Sequence, residues 1–471
     1  MCIRDSIAAV VPLTAPCPAL PRTIERLERA ASLTSIVIAA PAGSEALAQA
    51  LSLARGRIAV QSHEDVTVRE RLRRSAVARG WSRHCWRGGI ARLCIHDEAF
   101  HPALFARLLD SCKADALAPV SPDWAAIDPR LIDEAAGRYL ERPDAYGLTL
   151  TQAAPGLGAC ILAASTIREA AGVTGSHATI GGLLGYVPVA PQADPISKPV
   201  CPAIAPGARD ALIRCTFSTP DELALLERIP RDADAAAVAT LVADWALARP
   251  RVAETVELVV DPRTTAQQVA DAIRSLPRGH RPPAITLRGE PDHLETIVDA
   301  LRACGIGPIH VRTSLSGSLE QARRLLDARI DVVSVDLVAD SPATYAAITD
   351  RDDFDAVRSA MELLVRESRA DEAEGGGLPS RWIVPRITRR EECLDELETF
   401  HDRWLLLAGA SVIDPPALDA ATPRIGPLPV PRMARLRRDL THVRIDLTAH
   451  AHDAEATTAE PKPLPAGSLA P

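Results

Sequence analysis

Short apolar runs alternate with amphipathic stretches along most of the chain. In the first part, the runs at 7–12 (IAAVVP), 35–40 (SIVIAA) and 114–120 (ADALAPV) predict strands. The periodic stretches at 20–31, 44–53 and 128–140 predict helices, and shorter strands are expected at 148–152 and 158–163. Strands separated by helices of this length pair in parallel and are covered on both faces. A proline-rich run from 188 to 206 cannot be regular structure and reads as a surface excursion. An alanine-rich helical stretch between prolines 220 and 250 then separates two rhythms.

The second rhythm places strands at 255–260, 284–288, 309–313, 331–337, 381–387 and 411–414. Helices are expected between them at 265–275, 294–304, 319–328, 354–368 and 393–408. Six βα steps in succession suffice for a partial or closed α/β barrel. The expected fold class is therefore α/β, an open parallel sheet followed by a partial barrel. The expected boundaries are 1–225 for the first domain, 226–250 for a helical linker and 251–420 for the second domain. An extension follows at 421–449. The tail 450–471 turns to Ala, Thr, Pro and Glu without periodicity and reads as disordered.

Composition changes this picture little. The apolar fraction of 47% and charged fraction of 24% suit a two-domain globular chain of 471 residues. Aromatics are only 3%, so the core must be aliphatic. A net charge of −8 offers no basic field to nucleic acid or to an anionic membrane surface. The arginine-rich run RERLRR at 69–74 is interrupted by Glu70 and reads as one solvated helix face. No apolar stretch reaches the ~18–20 residues of a membrane span. The opening MCIRDS fits nothing downstream, and 7–13 is too short for a secretory core. Ten cysteines in this length are too dilute for a disulfide framework, which favours a reducing, cytoplasmic setting. His84, His96 and His101 near Cys85 and Cys94 form the one His/Cys cluster, and its spacings match no zinc pattern.

In the second half, ITLRGEP (285–291), HVRTS (310–314), VVSVD (332–336), SPATY (341–345) and DFDAV (353–357) follow one another in strand order. This succession resembles the radical SAM fold. The resemblance implies that Gly289, Glu290 and Pro291 cradle the methionyl amino group of S-adenosylmethionine, with Thr313 and Asp336 at neighbouring strand ends. The family also binds an iron–sulfur cluster through C-x3-C-x2-C after its first strand, because such clusters need thiolate ligands. Here that loop reads DPRTTAQQ (261–268) and holds no cysteine. The expectation is no iron–sulfur cofactor, and S-adenosylmethionine held weakly for want of its iron. The segment 428–447 resembles the entry to a SPASM extension and is likewise cysteine-free.

In the first half, WRGGI (86–90), HDE (96–98), SPDWAAIDP (121–129), TQAAPGLG (151–158) and TIGGLLG (179–185) carry a second resemblance. They look like the nucleotidyltransferase-like domain, similar to cytidylyltransferases, that precedes radical SAM/SPASM modules in proteins of the spiro-SPASM type. It implies a nucleotide-diphospho-sugar transferase-like sheet, a nucleotide beside Gly88 and Gly89, and Mg²⁺ at Asp123 and Asp128. The residues themselves leave alternatives: Asp128 precedes Pro129 and reads first as a helix N-cap, and Asp123 equally as turn cap or metal ligand. In place of a Gly- and Lys-rich nucleotide loop stands PLTAPCPAL (12–20), with neither residue. The functional expectation is a fusion without its cluster that binds a nucleotide-sugar, S-adenosylmethionine or a protein partner. The alternatives are metal-dependent nucleotidyl transfer to a sugar, and a radical enzyme with displaced cluster ligands.

Anaerobic reconstitution with iron and sulfide is expected to give no stoichiometric cluster. Absorbance near ~400 nm with about four irons per chain is the contrary result.

Overall fold

The computed structural model describes residues 6–64, 67–81, 93–94, 99–172, 179–183, 192–193, 200–209, 213–248, 252–277, 279, 281–316, 319–374, 381–414 and 442–448. Gly88, Gly89, the HDE motif, most of 421–449 and the tail lie outside these residues.

The first domain is built on β1 (Ile7–Pro12), β2 (Leu33–Pro41), β3 (Ile58–His63), β4 (Leu93–Cys94), β5 (Ala116–Pro119), β6 (Leu148–Leu150), β7 (Cys160–Ala163) and β8 (Gln192–Ala193). Six of them form one sheet in the order β3-β2-β1-β5-β7-β6, and β4 pairs with β8 apart from it. β1 is buried along its whole length, as a strand covered on both faces must be. The helices are α1 (Leu20–Leu27), α2 (Glu45–Leu53), α3 (Thr67–Trp81), α4 (Pro102–Cys112), α5 (Pro129–Glu141) and α6 (Ala164–Gly172). β1, β2, β3 and β5 run parallel, as expected. β7 does not: it is antiparallel to both β5 and β6. Its connection from β6 is a loop without a helix, and only an antiparallel neighbour can be reached that way.

The stretch expected as a linker belongs to this domain. Helices Pro220–Leu226 and Ala235–Ala248 bury Leu225, Leu226, Val238 and Val242 against Leu131, Leu157 and Phe217. Two arginines of α1 fasten the turn between them. Arg22 donates to the Leu226 and Ile229 carbonyls, and Arg26 to those of Ile127, Arg231 and Ala233. Asp128 is the N-cap of α5, accepting from Arg130 N at 3.0 Å, and its second oxygen accepts from Ala235 N at 2.8 Å. One carboxylate thus caps one helix and holds the start of another.

The second domain is a single sheet of β9 (Thr255–Val260), β10 (Ala284–Gly289), β11 (Ile309–Thr313), β12 (Val332–Asp336), β13 (Trp382–Thr388), β14 (Val412–Asp414) and β15 (His442–Asp446). Its order is β14-β13-β12-β11-β10-β9-β15, with every pair parallel. From β9 to β14 each strand follows its neighbour in one direction, and right-handed crossovers of that kind put their helices on one face; β15 lies at the other edge, beside β9. The burial agrees: Val256, Leu258, Ile285, Leu287, Ile309, Val311, Val333 and Val335 share one core with those helices. β14 and β15 are the edges, so among the described residues the sheet is open and not a closed barrel. β15 also corrects the expected extension, since 442–446 is a strand of this sheet.

α3 lies between the two sheets. The run RERLRR is not one solvated face: Arg71 and Arg74 are 4% and 3% exposed. Arg71 donates to the Phe100 carbonyl in the first domain, and Arg74 stacks over Trp382 in the second. No described helix is long and apolar enough to cross a membrane.

Replacing Asp128 by Ala is expected to cost about 1–3 kcal/mol, from a lost cap and an unpaired Ala235 N–H. Burial pushes the Asp128 carboxyl up, but hydrogen bonds from Arg130 and Ala235 outweigh it and hold it below the usual range. A depressed folded-state value stabilises above the unfolded value and is lost as pH falls through the folded one. Urea titrations of wild type and variant should therefore differ at neutral pH, begin to approach one another below about pH 4, and converge only once the pH has fallen through the lower folded-state value.

Candidate functional site

The carboxyl ends of β10 and β11 carry the best-formed site. β10 ends on Gly289 at φ +126°, where an added Cβ would lie 2.0 Å from the Val260 carbonyl oxygen. Only glycine fits, and the turn it makes swings Glu290 over the end of β11. The Glu290 carboxylate is then clasped by the 313–316 loop. Oε1 accepts from Thr313 Oγ1 at 2.7 Å, Ser314 Oγ at 3.0 Å and Ser316 N at 3.0 Å, and Oε2 accepts from Ser316 Oγ. Burial pushes this carboxyl up, yet the donors from Ser316, Thr313 and Ser314 prevail and hold it below the ordinary glutamate value. It is a fixed, ionised acceptor.

Beside it opens a cavity of about 360 Å³, within the roughly 300–1,000 Å³ of small-molecule sites. Gly289, Glu290, Pro291 and Thr313 all line it, together with Glu320 and Arg324. Four of the five residues expected here are thus brought together. The fifth, Asp336, is not. Thr313 shares the helix-covered face of the sheet, whereas Asp336 projects from the other.

That other face, free of the helices connecting β9 to β14, carries a ladder of polar groups at its carboxyl end. Arg312 holds Asp336 with two nitrogens, at 2.8 Å each, and reaches Asp414 at 3.2 Å. Arg386 holds Asp414 at 2.6 and 3.0 Å. Next to them His310 bridges Thr286 Oγ1 (3.1 Å) and Ser334 Oγ (2.8 Å). Burial, with Arg386 and Arg312 nearby, lowers its pKa well below the usual histidine value, so the ring is neutral. His310 and Arg312 stand inside the HVRTS stretch without a role assigned to them, and Arg386 and Asp414 fall in no motif. Their signal is the alternation in IHVRT and VVSVD, where a parallel strand covered on both faces would be continuously apolar.

The loop after β9 is held by its own side chains. Asp261 Oδ1 accepts from Arg263 N and Thr264 Oγ1, and Thr265 caps helix Ala266–Ser275. Its donor set is carboxylate, hydroxyl and amide, without a thiolate. Among the described residues, no group of three or more His, Cys, Asp or Glu is placed to hold a metal ion.

In the first domain the strand order reverses between β1 and β5, the place where open α/β sheets take ligands. The crevice there is nearly filled, about 20 Å³ between Pro12, Val120, Trp124, Leu72 and Arg79. Asp123 sits beside it, 8% exposed, with Oδ1 lacking a hydrogen-bond partner. Asp128 is committed to Arg130 and Ala235. One carboxylate without a lysine or a glycine-rich loop does not fit a metal-bound triphosphate among the described residues.

No family model matches the chain, and no curated protein matches it. Solved structures do. A cytidylyltransferase from Leptospira borgpetersenii serovar Hardjo-bovis aligns at 10% identity over 52% of this chain and 95% of its own, TM-score 0.33. A CMP:2-keto-3-deoxy-manno-octonic acid synthetase complexed with CTP aligns at 10% identity over 35% and 76%, TM-score 0.23. A 4-diphosphocytidyl-2C-methyl-D-erythritol synthase aligns at 14% identity over 37% and 82%, TM-score 0.23. Likeness this distant carries no statement of activity for this chain; what stands is a mixed α/β fold with parallel sheets.

Proposed function

We propose that this chain is a binding protein whose second domain holds a small cationic metabolite, its amino group against Glu290. The observation that carries the reading is the clasped, ionised Glu290 carboxylate on the wall of a cavity of about 360 Å³. Three carboxylates, Glu290, Asp292 and Glu320, line that cavity against one guanidinium, Arg324, which already pairs with Glu320. Such a rim favours positive charge. S-adenosylmethionine carries both an ammonium and a sulfonium, and the resemblance of 285–291 makes it the first ligand to try. Without iron to take its amino and carboxylate groups, the dissociation constant should be no tighter than roughly 100 μM, at ~1.4 kcal/mol per lost factor of ten.

Calorimetry on the full chain tests this. Weak binding that falls at least about tenfold in Glu290→Gln is expected. Binding that is equal in the variant, or absent at ~5 mM ligand, overturns the reading.

One observation favours a second reading, nucleotidyl transfer by the first domain: the buried, unpartnered Oδ1 of Asp123 at the reversal of strand order. Magnesium-dependent release of pyrophosphate from CTP that is lost in Asp123→Asn would establish it. The expected result is no release above the buffer control.

A further inference from the structure

α3 is a helix with two occupied faces. Val68, Leu72, Ser75 and Arg79 recur every three or four residues and mark one side. Val68 is part of the first domain's core, with Leu72 packed against it, and Leu72 and Arg79 form a wall of the crevice at β1 and β5. Half a turn round the axis, Arg73, Arg74, Gly80 and Trp81 meet the second sheet. Arg73 is 3.8 Å from Asp331, the Arg74 guanidinium lies 5.2 Å from the centre of the Trp382 ring, and Trp81 stands edge-on to His310 at 6.1 Å. Gly80 lets the backbone close in: an added Cβ would lie 2.8 Å from Pro308 Cγ and 3.3 Å from Ala284 Cβ. Pro308 is itself pinned, since its carbonyl accepts from Ile285 N at 3.0 Å.

We propose that α3 couples the two domains, so that the first domain's crevice opens only when Trp81 leaves the second sheet. At about 20 Å³ the crevice holds roughly one water and no metabolite. Several of its walls cannot retreat. Val120 N bonds the Val10 carbonyl, Leu13 N, next to the lining Pro12, bonds the Ala39 carbonyl, and Trp124 N bonds the Ser121 carbonyl. Leu72 and Arg79 ride on α3 instead. A helix of 15 residues, about 22 Å long, moves as a rigid piece, so displacing Leu72 and Arg79 displaces Gly80 and Trp81. Linkage makes the effect reciprocal: prising α3 off the second sheet must loosen the crevice. The coupling is the same whichever ligand either domain takes.

Hydrogen–deuterium exchange on the full chain, read at two places, tests it. Gly80→Ala forces α3 away from Pro308 while raising intrinsic helix propensity by about 1 kcal/mol, so the variant should fold. Exchange in 309–313 should rise, and exchange at the Val120 and Trp124 amides, in the other domain, should rise with it by at least about tenfold. In the reverse direction, Leu72→Trp overfills the crevice, and carbethoxylation of His310 by diethylpyrocarbonate should accelerate over the protected wild type. Leu72→Phe is the milder substitute if the larger ring prevents folding. Faster exchange in 309–313 with unchanged Val120 and Trp124 overturns the coupling. Unchanged exchange at both places overturns the seating of α3 on which it rests, and a His310 that stays protected in the folded Leu72 variants overturns the coupling as well, since linkage is reciprocal.

Discussion

A parallel sheet whose strands step in one direction, as β9 to β14 do here, carries the helices of those crossovers on one side, and its other side must be satisfied by different means. This constraint organises the second domain. Its helices cover the apolar face, and the opposite face is divided. At the amino ends of the strands, Val332, Val384, Ala410 and Val412 form a small apolar patch that packs with Trp81 and Trp382. At the carboxyl ends, the same face carries Arg312, Asp336, Arg386 and Asp414. The first domain thus supplies through α3 the apolar cover that the winding cannot provide, and the charged ladder occupies the region beyond it.

The ladder is a sensible solution only because it is complete. A buried ion pair adds little stability over an apolar pair, whereas one stripped of a partner costs 3–5 kcal/mol in general. Here each carboxylate meets a planar guanidinium with two nitrogens, a geometry that lysine could not supply. His310 is satisfied at both ring nitrogens by hydroxyls and stays neutral, so it adds no uncompensated charge under Trp81. The ladder and the α3 contact therefore belong to one device. His310 is the residue where they meet, touching Trp81 on one side and lying close to Arg312 and Arg386 on the other.

Much of this was legible in the chain as written, and the failures have physical causes. Strands 255–260 and 309–313 fall where the apolar runs place them, because local pattern and burial agree there. A helical stretch between Pro220 and Pro250 is also expected from the sequence, and helices 220–226 and 235–248 stand there, but their apolar faces do not say what they pack on, and so the stretch reads as a linker. Strand 442–446 (HVRID) is half polar and lies more than 170 residues from β9, its partner, so no local signal announces it. Arg71 and Arg74 read as solvated because burial of a guanidinium depends on carbonyls and rings supplied by distant segments. Asp336 groups with Thr313 in the sequence by its place at a strand end, whereas the parity of side chains along each strand sends the two to opposite faces.

Glu290 has a structural use as well as the proposed one, and its hydrogen bonds show where the first stops. Oε1 accepts three donors and has no capacity left, which suffices to hold the 313–316 loop against β10. If fastening that loop were the whole role, a neutral amide could supply the acceptor, and no open volume would be needed beside it. The carboxylate instead stays ionised, keeps acceptor capacity on Oε2 beyond its single bond to Ser316, and borders a cavity whose other charged groups are mostly acidic. The loop fixes one oxygen in place, and that fixed position is what lets the other present a charge at little further cost in ordering. A ligand bearing an ammonium group meets an acceptor already oriented and already ionised, which is the property that separates a binding wall from a packed strand end.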